Sequence, residues 1–171
     1  MIYLNEKSGR KEWYFEVDDE GTAYRQILLE EGKESKSSNL KKFEFFLSEK
    51  ELPLNNPELK RIPKETFEKV WSIVNKDQQT IWHKQKELLT LGEKIVGYIE
   101  VFYPQGVIVS IPDNDALGVA NYEECAENSQ KRNMHKGLLV NAEIIGYDEI
   151  NYWFILGDPK VFDCRYPLVS K

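Results

Sequence analysis

The stretch from Gly92 to Leu156 constrains this chain most, because short β-favouring runs alternate there with glycine and turn residues at close intervals. Ile95 to Val101 reads as one strand, Gly106 to Ile111 as a second and Leu117 to Ala120 as a third. Leu138 to Tyr147 gives a long fourth strand and Tyr152 to Leu156 a fifth. The turns are marked by composition: Phe102-Tyr103-Pro104-Gln105, Pro112-Asp113-Asn114-Asp115 and Asp148-Glu149-Ile150-Asn151. Tyr122 to Cys125 reads as one helical turn after the third strand. Five short strands with a single helical interruption imply a small barrel.

The preceding residues have a different pattern. Trp13 to Val17 is a β-rich run, Asp18 to Gly21 a tight turn, and Thr22 to Leu29 a loosely alternating second strand. Glu31-Gly32 turns the chain into the polar stretch Lys33 to Asn39. Phe43, Phe45 and Phe46 in LKKFEFFL are expected to form a third strand, in preference to a short helix. A loop follows from Pro53 to Pro63, and Pro63 suits the first position of a helix, where its missing N–H costs nothing. Phe67, Val70, Trp71, Val74, Ile81 and Leu88 then recur at helical spacing on one stripe. Asn75-Lys76-Asp77 is the expected break, with Asp77 capping a second piece and Gly92 stopping it. The stripe is expected to pack against the β units rather than to bind a partner.

The fold class is therefore mainly β with one long or broken helix. It comprises a small antiparallel β unit over residues 1–62, a linking helix over 63–91, and a five-stranded barrel with its tail over 92–171. No internal repeat is visible.

Hydrophobic residues make up 41% of the 171, enough for a real core. No run approaches the roughly 18 apolar residues of a membrane span. The start, MIYLNEKSGRKEW, lacks the apolar core of a secretory signal, so a cytoplasmic protein is expected. Cys125 and Cys164 stand far apart without a CxxC partner, and a reduced pair is favoured over a disulfide. Residues 1–90 hold 16 basic and 17 acidic side chains, and residues 91–171 hold 7 and 12. Most of the net charge of −6 thus falls on the barrel half, which suits a basic protein better than a phosphate backbone.

Five strands with a helix after the third match the OB-type Greek-key barrel. At these residues the chain resembles the S1 domain, an OB-fold family best known for RNA binding. Gly92-Glu93-Lys94-Ile95-Val96-Gly97 resembles its opening G-D/E-x-V-x-G pattern, and Gly106-Val107-Ile108-Val109 its G-x-F-V strand. Gly118 to Glu124 stands where that family has G-L-V-H-I-S-E, and Val140 to Tyr147 followed by Asp148 to Asn151 resembles its closing strand and turn. The departures fall on the binding face. Gln105 and Ile108 stand where aromatics are common, and Asn121 where the signature histidine lies. The resemblance implies single-stranded nucleic acid or RNA as ligand, with Tyr103, Gln105, Ile108 and Asn121 on bases. It implies Lys131, Arg132 and Lys136 on phosphates. Tyr103 and Tyr122 stand close enough in sequence to replace the lost stacking, although partial burial is the commoner fate of tyrosine.

No catalytic constellation is visible. There is no GxxxxGK[ST] or GxSxG, and His83 and His135 lack companions at metal-ligand spacing, so no metal or cofactor is expected. Asp113 and Asp115 sit in a turn composition, and Cys125 has no histidine at a diagnostic spacing. The chain is read as a non-enzyme. The competing reading is an acidic interaction module in which Glu123, Glu124 and Glu127 meet a basic protein, for example as an immunity-type inhibitor of a basic nuclease toxin.

Overall fold

The computed structural model describes residues 1–130 and 133–165 of the chain. These fall into two compact units that meet in sequence between Gln78 and Gln79.

In the first unit, β1 (Ile2–Ser8), β2 (Lys11–Val17) and β3 (Ala23–Glu30) form an antiparallel meander. Two short strands, β4 (Lys36–Ser37) and β5 (Lys60–Arg61), flank it, giving the order β4-β3-β2-β1-β5. Helix α1 (Lys64–Val74) lays Phe67 and Trp71 over Tyr3 and Ile27 of the sheet. Arg25 is buried beneath that helix. Its guanidinium lies 4.8 Å from the Phe67 ring and 4.9 Å from the Trp71 ring. Glu16 takes two of its hydrogen bonds, from Nε at 2.6 Å and from Nη2 at 3.0 Å, and Glu68 takes two more.

Two expectations are corrected here. The meander begins at Ile2, one strand earlier than the β-rich run at Trp13 suggests. The segment LKKFEFFL is not a strand. Lys41–Phe43 is a 3-10 turn, and Glu44 and Phe45 follow with φ of 58° and 48°, a left-handed pair that no ladder accommodates. Phe46 instead sets its ring 6.3 Å from that of Trp13.

The helix breaks at Asn75, as its composition implies. The Asn75 side chain is buried. Its Nδ2 donates to the Trp71 carbonyl at 3.1 Å, and its Oδ1 accepts from Ser37 Oγ at 3.3 Å and Asn39 Nδ2 at 3.0 Å. Pro63 sits one residue outside α1, at the cap. Helix α2 (Lys76–Leu88) ends before Gly92, so that glycine does not stop it. Gly92, at φ +87°, instead donates its N–H to the Ile144 carbonyl at 2.8 Å and leads the chain into the barrel of the second unit.

That unit is a closed barrel of β6 (Lys94–Tyr103), β7 (Gly106–Ile111), β8 (Ala116–Ala120), β9 (Leu138–Asp148) and β10 (Trp153–Arg165). Around the ring the order is β10-β8-β7-β6-β9. Every pairing is antiparallel except β8 with β10, where Phe154, Ile155 and Leu156 run parallel to Gly118, Val119 and Ala120. This is the connectivity of an OB-like barrel. The short helix α3 (Tyr122–Glu127) follows β8, as the sequence implies. Strand β10 runs nine residues beyond the expected end at Leu156. Register shifts and the left-handed Asp158, at φ 47°, let it bend around the barrel.

Val107 and Val109 of β7 point inward with Ile99, Val140 and Phe154. From α2, Trp82 joins this core, with its ring 4.8 Å from Phe154. Its indole N–H donates to Glu149 at 2.7 Å. Gln85 donates to the Asp115 carbonyl at 2.8 Å, so the Pro112–Asp115 segment serves as a docking turn for the helix.

Candidate functional site

One end of the barrel gathers three pieces of chain: the β6–β7 turn, the junction of β8 with α3, and the β9–β10 turn. OB barrels bind their ligands on the second and third strands and on the loops joining strands one to two and four to five. Those elements correspond here to β7, β8 and the two turns just named.

The turns are fixed locally. Gly106 adopts φ +144°, and a Cβ there would collide with the Ala120 carbonyl, so only glycine lets the β6–β7 turn lie against the end of β8. Gln105 and Asn121 are brought to one groove this way. Asn121 also caps α3, its Oδ1 accepting the Glu124 N–H at 3.0 Å. In the β9–β10 turn, Asp148 Oδ1 accepts the N–H groups of Ile150 and Asn151, each at 3.0 Å, while Oδ2 accepts Asn151 Nδ2 at 2.9 Å. Lys86 reaches Glu149 at 2.8 Å. Burial works against the Glu149 charge, but the Lys86 and Trp82 hydrogen bonds outweigh it and hold the carboxyl below the usual glutamate value.

The groove between these turns has a volume of about 610 Å³. Its floor is apolar. Ile145 is 59% exposed, Ile150 53% and Ile155 38%. Two glycines shape that floor. A Cβ on Gly157 would stand 2.7 Å from Ile145, and one on Gly146 would stand 3.3 Å from Ile155, so these isoleucines lie flat across the neighbouring strand. Glu124, Asp148 and Glu149 form its charged lining beside the amides of Gln105 and Asn121, and no lysine or arginine lines the groove among the described residues.

Two aromatic rings outside the groove lining, one on Tyr122 next to Asn121 and one on Phe102 of β6, are exposed to solvent. Phe102 is 40% exposed and Tyr122 54%, with their centroids 5.9 Å apart in an edge-to-face arrangement. Lys136 lies near the same strand. Its ammonium is 3.4 Å from the buried carboxylate of Glu100, two residues before Phe102 on β6.

Of the residues expected on bases, Gln105 and Asn121 reach the groove. Tyr103 is half-buried, its ring 6.1 Å from that of Trp153. Ile108 is a correction. It is fully buried, although its neighbours Val107 and Val109 already fill the barrel interior, so both faces of β7 are covered there and no base can reach it. Lys136 is exposed, whereas Lys131 and Arg132 lie outside the described residues. Glu123, Glu124 and Glu127 are all exposed on α3, and Glu124 alone of them lines the groove.

The isoleucine floor and Phe102 are what sequence reasoning misses. The available signal is the loss of alternation: Ile144-Ile145 and Phe154-Ile155-Leu156 are apolar on both faces, more than one barrel interior uses.

Cys125 is buried, and burial followed by the Glu124 charge pushes its thiol up to about 12, which keeps it protonated at neutral pH. Among the described residues no group of three histidine, cysteine or acidic side chains is placed to hold a metal ion. No described helix is long and apolar enough to cross a membrane.

No protein-family model and no curated protein matches the chain. Among solved structures it is similar to a multidomain protein with nucleic acid binding domains from Streptococcus pneumoniae TIGR4, with 14% identity and a TM-score of 0.31. The alignment takes in 90% of this chain and 52% of that one, so the chain spans about half the length of that protein.

Proposed function

We infer that the chain is a non-catalytic, S1-like binding protein whose barrel end takes single-stranded nucleic acid, RNA in particular. The observation that carries this reading is the exposed Phe102–Tyr122 pair beside the β6–β7 turn. Solvent-facing rings offer faces on which bases stack, each contact contributing about 1–3 kcal/mol. The pair takes the place of the aromatics missing at Gln105 and Ile108. Asn121, next to Tyr122, keeps its Nδ2 as a donor for a base edge while its Oδ1 holds the Glu124 N–H. Lys136 supplies a cation for phosphate near the same strand.

With so little positive charge among the described residues at this end, affinity comes from stacking more than from phosphate neutralisation. A single strand that meets one or two cations shows a slope of log affinity against log salt of only about −0.7 to −1.4. Fluorescence anisotropy with a labelled mixed-sequence RNA at low salt tests this reading. Saturable binding with a shallow salt dependence is expected. Absence of binding at tens of micromolar protein sinks it.

A further inference from the structure

The groove between the β9–β10 turn and the start of α3 is a different surface from the aromatic pair, since neither Phe102 nor Tyr122 lines it. Its chemistry also differs. Single exposed isoleucines are ordinary, but Ile145, Ile150 and Ile155 share one concave face. The carboxylates around them have unequal duties. Glu149 is paired with Lys86, and Asp148 is committed to its own turn. Glu124 has no ion pair among the described residues, and Glu123 and Glu127 stand exposed beside it on the same helix.

We propose that this groove docks a segment of a partner protein that carries lysine or arginine together with branched aliphatic side chains. Aliphatic groups would cover the isoleucine floor, and the cations would meet Glu124 and Asp148 at the rim. The argument is charge complementarity joined to an apolar floor. A nucleic acid strand fits this face poorly. Its phosphates would approach carboxylates with no lining cation among the described residues, and isoleucines give bases no stacking partner.

The floor is built for an occupant that lies flat. Gly146 and Gly157 remove the Cβ atoms that would prop Ile155 and Ile145 away from the strands, leaving a shallow trough instead of a row of knobs. The locked Asp148 turn holds Ile150 at one end without needing a ligand to order it.

A randomised dodecapeptide display library, selected against the intact protein, tests this. Peptides rich in lysine or arginine and in isoleucine, leucine or valine are expected to be enriched. Synthetic copies of them should lose about tenfold or more in affinity to Glu124→Lys and to Ile150→Ser, a change of about 1.4 kcal/mol or more. Both side chains are exposed, and unchanged thermal unfolding identifies folded variants. Should Ile150→Ser unfold, Ile155→Ser provides the same readout from β10. RNA binding should survive both groove substitutions.

The proposal is overturned by no enrichment, by enrichment of peptides without this chemistry, or by peptide binding indifferent to Glu124→Lys and Ile150→Ser. RNA that displaces the peptides and is itself lost with Ile150→Ser gives the groove to nucleic acid and also overturns it. Failure of RNA to bind at all bears on the aromatic pair and leaves the peptide result standing.

Discussion

Arg25 and Glu16 face each other across adjacent strands with two hydrogen bonds between them, the shorter 2.6 Å from Nε to Oε2. The Arg25 side chain is 3% exposed, so its charge is met almost wholly by Glu16, Glu68 and two aromatic faces. Removing one member of such a pair leaves the other charge buried and costs about 3–5 kcal/mol. Arg25→Ala is therefore expected to lower the urea midpoint of the first unit sharply, whereas Arg10→Ala, at an exposed ion pair, should barely move it. Equilibrium urea unfolding of the two variants gives the comparison.

The same cluster sets a pH response at the acid end. Burial opposes the Glu16 charge, but Arg25 and the Tyr3 hydroxyl together draw its carboxyl below the ordinary value of 4.5. A carboxyl lowered in the folded state contributes stability above its unfolded value, and that contribution fades as pH falls through the folded one. Thermal unfolding temperature should thus drop below about pH 4.5, and Glu16→Gln should flatten this acid limb.

At the alkaline end the sign reverses. Burial and hydrogen bonds to Glu16 and Glu12 raise Tyr3 and Tyr14 from 10.0 to about 12. The unfolded chain then loses phenolic protons first, so stability present below pH 10 declines between about 10 and 12. Replacing both tyrosines by phenylalanine should remove that decline, as read by phenolate absorbance and circular dichroism on one titration.

Trp82 gives a test of the second unit. It is 1% exposed, packs on Phe154 and Tyr152, and holds Glu149 through its indole N–H. Trp82→Ala should cost about 3–5 kcal/mol through lost burial and the cavity left behind. Trp82→Phe keeps much of the ring but leaves Glu149 without that donor, and should fall between wild type and Trp82→Ala in a denaturant titration.

On the nucleic-acid reading, Phe102→Ala and Tyr122→Ala should each weaken RNA binding by about 1–3 kcal/mol while leaving the salt slope unchanged. Lys136→Ala should do the opposite, with a small loss of affinity and a shallower slope. Anisotropy at several salt concentrations separates the two behaviours.

The barrel was legible in sequence because each strand is bounded by a residue with one backbone role, and Gly106 and the Asp148 turn keep those roles in three dimensions. The break at Asn75 was legible for the same reason. The phenylalanines at 43, 45 and 46 were not, since their residue type favours strands and the left-handed pair at Glu44 and Phe45 leaves no mark in composition. Ile108 shows the matching limit at the site. Alternation places it on the outer face of β7 but does not tell whether that face is covered. Ile145, Ile150 and Ile155 come together only through strand pairing and a turn, which no spacing rule within one strand reveals.

The parallel pairing of β8 with β10 has a consequence for how the chain is made. Gly118 waits for Phe154, so a growing chain carries β6, β7 and β8 with one edge of the last strand unpaired until residues beyond 154 have left the ribosome. During that interval the apolar sequence of β8 is open to pairing with any other extended segment. Strand β10 therefore acts as a timing element, and the barrel becomes a safe, edgeless object only once that strand has emerged.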